Sequence, residues 1–225
     1  MEKERIYSHF YEKKNLIIPK KEILRYMQCR EETDEIKNIV KKNIPIVHDG
    51  LSLKGSFVYL PITSNDSCIC IADTHITSNS LAKHLKDCHF AVVFALSLGI
   101  NIDMLIKKYS AISTADAFCI NAIATAAIEE YADKFCKEVS DELKKENLYT
   151  RPRFSPGYGD LAIESQTTFL NLTNAHRLVG ITLTENYMMM PSKSVTAILG
   201  ISQKDTGCIH HNCENCQKSG CNYRR

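Results

Sequence analysis

STADAFCINAIATAAIEEYADKFCKEVSDELKK, Ser113 to Lys145, is the strongest helical signal in the chain. Its first half is rich in alanine and apolar nearly all round, and its second half is amphipathic, so the helix is buried at one end and solvated at the other. The flanking segments are strand-like. Upstream, IPIVH, SLKGSFVYLPI and CICIA, between Ile44 and Asp73, are β-rich runs separated by DG, Pro and SNDS turn signals. SNSLAKHLKDC then reads as a capped amphipathic helix, with Thr77 or Ser78 at its N-cap. HFAVVFALSLG reads as a strand buried on both faces that ends at Gly99. Before these, Pro19 to Asn43 place a proline at a first helical position and apolar residues at Ile23, Leu24, Met27, Ile36, Ile39 and Val40. One broken helix or two short ones are expected, making the N-terminal part, about 1–43, helical. Downstream, ESQTTFLNLTNAH looks helical, while GITLTEN, YMMMP and SVTAILGIS look like short strands. Helices and strands do not alternate regularly. The expected fold is therefore α+β, a mostly antiparallel twisted sheet with flanking helices, rather than a doubly wound one.

The 225 residues are 44% hydrophobic and 24% charged, enough for a substantial core. With 28 Lys and Arg against 26 Asp and Glu, nothing points to nucleic acid or an anionic membrane as a partner. The start, MEKERIYSHFYEKKN, lacks the apolar stretch of a signal peptide, and no run reaches the length of a membrane helix, so a cytoplasmic protein is expected. There, ten cysteines do not suggest a disulfide framework. Six are scattered among apolar residues. The other four, Cys208, Cys213, Cys216 and Cys221, follow C-x4-C-x2-C-x4-C in a polar tail, which divides the chain into a domain over 1–206 and a tail over 207–225. Four thiolates that close together suit an iron-sulfur cluster or zinc, and the spacing does not separate these from each other or from a metal-free tail. His210 or His211 could replace a cysteine in the zinc case.

RPRFSPGYGD, residues 151–160, follows the long helix. Pro156 fixes one dihedral and Gly157 permits a positive one, giving a tight turn that offers backbone groups to a ligand. Tyr158 adds an aromatic face with a hydroxyl, and Arg153 a planar fork suited to a carboxylate. An arginine in such a loop can equally be a surface ion pair.

Over a longer span, RPRFSPGYGD, ESQTTFLNLTN and GITLTENYMMMPSKSVTAILG together resemble the C-terminal activation (reactivation) domain of cobalamin-dependent methionine synthase. That family carries an R-x-x-x-G-Y turn, a short helix and a G-x-x-L-T-E-S-x-x-M-x-P-x-x-S-V-S pattern. Gly180, Leu183, Thr184, Glu185, Met189, Pro191, Ser194 and Val195 keep its spacing. The resemblance implies that Arg153, Ser155, Gly157 and Tyr158 bind S-adenosylmethionine, with Arg153 on the methionyl carboxylate. It also implies a glutamate on the long helix, Glu129, with Glu130 the competing choice because neighbouring helical positions point about 100° apart. GDLA replaces the family's PACP after the turn. A family segment beyond the last strand has no counterpart before the tail. The implied function is reactivation of a Co(II) corrinoid by an electron, from a flavodoxin or ferredoxin, and a methyl group. The cobalamin would be carried by the corrinoid domain of methionine synthase or a related methyltransferase. IADTHITSNSL resembles the D-x-H-x-x-G motif that ligates cobalt, but Ser78 stands at the glycine position and the later elements are missing, so His75 is not read as a ligand. The rival reading is a non-catalytic docking or zinc-binding module.

Overall fold

The computed structural model describes residues 5–29, 31–65 and 67–205. The four tail cysteines, Cys208, Cys213, Cys216 and Cys221, lie outside the described residues. The main sheet contains strands β1 (Ile6–Phe10), β2 (Lys54–Ser64), β3 (Cys68–Ile71), β4 (Thr74–Thr77), β5 (Phe90–Ser97), β6 (Tyr149–Thr150) and β9 (Ser194–Ser202). Its order is β4-β3-β2-β5-β9-β6, with β1 also paired to β2 and every pair antiparallel. A second, two-stranded ribbon joins β7 (Thr182–Leu183) to β8 (Met189–Met190). The fold is thus α+β and mostly antiparallel, as the pattern of runs implies.

Helix α5 (Thr114–Lys144) lies on one face of the sheet, and α1 (Lys20–Tyr26), α2 (Asp34–Gly50) and α4 (Ile100–Ser110) pack against it. Ser113 caps α5 by accepting a hydrogen bond from the Asp116 N–H. Sandwiched in this way, its first half has to be apolar nearly all round. Phe94, Tyr131 and Phe135 are almost wholly buried where the helix meets the sheet, each contributing roughly 1.5–3 kcal/mol by burial. On the opposite face, α3 (Asn79–His84) and α6 (Ser165–Leu172) cover a second core around Leu81, Leu85, Val93, Phe169 and Ile198, and α7 (Ala175–Leu178) a smaller one with Ala95, Leu170 and Ile181. The central strand β5 is buried on both faces for that reason.

Two expectations are corrected. IPIVH is not a strand: α2 continues through it, Pro45 included, to Gly50. Val40, Asn43 and Val47 form one buried stripe at helical spacing, and burying that stripe outweighs the hydrogen bond that proline removes. The N-terminal part is not wholly helical either, because Ile6–Phe10 adds β1 to the sheet edge against β2. Among the described residues, no helix is long and apolar enough to cross a membrane.

Candidate functional site

The loop 151–160 starts where β6 leaves the edge of the sheet. Arg151 N–H donates to the Gly200 carbonyl at 2.7 Å, and Phe154 exchanges two hydrogen bonds with Ile198 of β9 at 3.0 and 2.9 Å. Successive side chains then diverge. Phe154 packs into the α3-side core with His84, while Arg153 reaches the opposite face, where α5 lies.

There the Arg153 guanidinium donates to Glu129 Oε2 at 2.6 Å and lies 3.1 Å from Asp133 Oδ1. Burial alone pulls the Arg153 pKa down, but the two carboxylates outweigh it and raise the value, so the side chain stays charged. Side-chain exposures of 21% for Arg153, 34% for Glu129 and 48% for Asp133 leave all three reachable from solvent. Glu130 points elsewhere, toward Lys134 at 3.6 Å, so of the two candidate glutamates it is Glu129 that faces the loop. Asp133 was missed. Its signal was present, since positions i and i+4 share a helix face.

The loop's bend is a turn from Ser155 to Tyr158, closed by the Tyr158 N–H on the Ser155 carbonyl at 3.1 Å. Pro156 in second place and Gly157, with φ of +89°, in third fit a type II turn. Two of its amides are not offered to a ligand, contrary to expectation: Gly157 N–H donates to the Leu161 carbonyl and Tyr158 N–H to Ser155. Tyr158 itself is 63% exposed, its ring 6.1 Å from that of Phe154. Ser155 is half-buried beside it.

GDLA has a structural role here. Asp160 accepts hydrogen bonds from the Ser78 hydroxyl at 2.5 Å, the Asn79 N–H at 2.8 Å and the Ser80 N–H at 3.0 Å. These bonds, Ser78's foremost, hold its carboxyl well below the usual range. His84 Nε2, 2.7 Å from the Pro152 carbonyl, and Arg151, 3.2 Å from the Lys86 carbonyl, fasten the other end of the loop. Helix α3 is thus the platform on which the loop is mounted. Gly159 sits so close that a Cβ there would lie 2.6 Å from Ser80 Oγ.

Beyond Phe154, no strand covers the outer edge of β9 among the described residues. Main-chain groups point alternately to the two sides of a strand, so Thr196, two residues before Ile198, directs its N–H and C=O to this side of β9, where the residue is buried. Across from it runs the accessible stripe of α5, formed by Phe118, Asn121, Thr125, Glu129 and Asp133 at near-helical spacing. At the upper end, the half-buried Lys193 donates from Nζ to Thr125 Oγ1 at 3.1 Å. Burial lowers its pKa, and Asp103 on α4 offsets this in part. Asp103 also accepts from the Ser192 N–H at 2.8 Å and from its hydroxyl, tying the start of β9 to α4. The accessible stripe of α5, beside β9 and with the loop and Lys193 at its ends, is the candidate groove.

His75 is exposed on β4, opposite Cys70, and no group of three or more His, Cys, Asp or Glu could hold a metal among the described residues.

No curated protein matches the chain. A solved structure described as the MetH reactivation domain bound to AdoHcy matches 92% of this chain and 81% of its own, with a TM-score of 0.67 at 15% identity; at that identity the two share a fold. The family model described as "Vitamin B12 dependent methionine synthase, activation domain" matches residues 60–221, more than half of the chain. The chain therefore belongs to the family of activation domains of vitamin B12-dependent methionine synthase.

Proposed function

We propose that this protein binds S-adenosylmethionine in the groove between α5 and β9 and presents its methyl group to the Co(II) corrinoid of a methionine synthase or a related corrinoid methyltransferase during reductive reactivation. The observation that carries the reading is the convergence of Arg153, Glu129 and Asp133 at the mouth of the loop. This cluster has a net negative charge, which suits the sulfonium and ammonium of the donor. Ser155, Gly157 and Tyr158 flank it, with Tyr158 placed to lie against a ring or ribose. The AdoHcy of the related solved structure is the product left when such a sulfonium loses its methyl group.

An electron from a flavodoxin or ferredoxin converts Co(II) to Co(I), whose electron pair takes the methyl carbon while the sulfur–carbon pair remains on sulfur as a neutral thioether. No general base is needed. The protein's part is proximity and orientation. The cysteine tail is read from its spacing alone: Cys208, Cys213, Cys216 and Cys221 hold an iron-sulfur cluster or zinc, which anaerobic absorption spectra and metal analysis distinguish.

Calorimetry with S-adenosylmethionine tests the binding, expecting saturable heat that Glu129→Gln weakens. An anaerobic mixture with the Co(II) corrinoid partner, reductant and methyl-labelled donor should place label on cobalt. No heat at roughly millimolar ligand, with and without the partner, would refute the proposal.

A further inference from the structure

A small cavity lies on the other flank of α5 from Arg153. Its volume is about 210 Å³, and its walls are Tyr7 of β1, Phe57 and Tyr59 of β2, and Glu142, Leu143 and Glu146 at the end of α5. Tyr7 and Phe57 are cross-strand partners whose rings stack at 5.2 Å. Tyr59, two residues further along the same face of β2, stands at 82° and 79° to those rings, so the three form an aromatic corner. Glu142 comes nine positions after Asp133, about half a turn around the helix, and the cavity shares no residue with the groove described above. Its walls carry no lysine or arginine. Among the described residues, the exposed Glu142 and Glu146 make no ion pair.

The chemistry of these walls selects a cation. Tyr59 is 8% exposed, and among the described residues its hydroxyl has no hydrogen-bond partner. Buried polar groups left unpaired are rare, so this one points to a missing partner. Burial, and then the Glu142 charge, pushes its pKa up to about 12, which keeps the phenol neutral. Aromatic faces are electron-rich, and Arg5 already rests over the Tyr7 ring at 5.6 Å. Even with Arg5 counted, Glu142 and Glu146 leave the corner a net charge of minus one. A primary ammonium would bring three N–H donors to rings that offer one buried phenol oxygen, whereas a quaternary ammonium brings none to leave unpaired. The volume falls below the range of about 300–1,000 Å³ for whole drug-sized ligands, and suits a headgroup. We infer that this corner binds the trimethylammonium headgroup of a small organic cation, with Tyr7, Phe57 and Tyr59 against its methyl groups and Glu142 and Glu146 balancing its charge. The site is independent of the S-adenosylmethionine reading.

The test separates charge from shape. The full chain, isotopically labelled for NMR, is titrated with choline, with its uncharged carbon isostere 3,3-dimethylbutan-1-ol, and with ethanolamine, the corresponding primary ammonium. Choline is expected to shift the signals of Tyr7, Phe57 and Tyr59 saturably. The isostere is expected to bind about 2- to 30-fold more weakly, the range for a cation–π contact, and ethanolamine also more weakly than choline. The double variant Glu142→Gln/Glu146→Gln changes two exposed side chains and leaves the rings in place. It is expected to weaken choline about 2- to 30-fold, the range for two exposed charges, and to bind S-adenosylmethionine as wild type does. The inference is overturned if choline does not saturate below roughly 50 mM, if the isostere or ethanolamine binds as tightly as choline, if the shifts fall away from these rings, or if the double variant keeps the wild-type affinity for choline.

Discussion

The contact between Arg153 and Glu129 sets the geometry of the groove, and a double-mutant cycle measures it. At 2.6 Å, with exposures of 21% and 34%, the pair lies between two regimes. Exposed pairs contribute about 0–1 kcal/mol, whereas breaking a buried pair costs about 3–5 kcal/mol. At an effective dielectric of about 20 the gross attraction is of order 4 kcal/mol near 4 Å, and desolvation of the guanidinium removes much of it. Arg153→Met also leaves Glu129 and Asp133 facing each other one turn apart, which adds like-charge repulsion. We therefore expect Arg153→Met to destabilise the fold by about 2 kcal/mol, lowering Tm by roughly 4–8 °C for a chain of this size. Glu129→Gln should cost about 1 kcal/mol, because Asp133, 3.1 Å away, keeps Arg153 paired. The expected coupling energy is about 1 kcal/mol. Thermal and urea unfolding of the four proteins, followed by circular dichroism, provide the numbers. A coupling below about 0.3 kcal/mol, or an Arg153→Met variant as stable as wild type, would show that the pair does not organise the groove.

Three further predictions concern the supports of the site. Asp160→Asn should loosen the loop from α3 and weaken S-adenosylmethionine binding with little change in overall Tm; hydrogen exchange confined to the loop and α3 checks this. With its pKa held low by Ser78 and two amides, Asp160 stabilises the wild-type loop above the ordinary carboxylate range, and this is lost only as pH falls through the folded value. Gly157→Ala has room, the nearest atom being Ile163 Cδ1 at 3.4 Å, but its φ of +89° is unfavourable for alanine. It should cost roughly 1 kcal/mol or more in urea unfolding. Asp116 is held down to about 2 by hydrogen bonds from Asn43 and then Lys42. Its stabilisation is complete above the unfolded value near pH 4 and vanishes as pH falls toward about 2. Urea midpoints measured across that interval should therefore fall less steeply in Asp116→Asn than in wild type.

Some of this was legible in the chain because local pattern and tertiary demand coincide. The alanine-rich half of α5 reads as buried because no other composition fits between a sheet and three helices. Ser78 and Ser113 read as caps because a helix start needs side-chain acceptors whatever surrounds it. The bend at Pro156 and Gly157 likewise follows from dihedral limits internal to those residues. IPIVH misled because β-branched residues and a proline favour extension locally, while the buried stripe through Val40, Asn43 and Val47 is a property of the packed molecule.

By itself, the order of residues determined the α+β class, the long helix, the turn and the pairing of motifs that marks the family. Only the tertiary structure decided which side chains meet. It placed Glu129 rather than Glu130 on Arg153, added Asp133, turned Asp160 into a brace, and brought Lys193 to Thr125 across 68 positions of chain. Dihedral preference and hydrophobic period act within a few residues. Ion pairs across a groove depend on how a helix rotates against a sheet, and that is settled by the packing of the whole core.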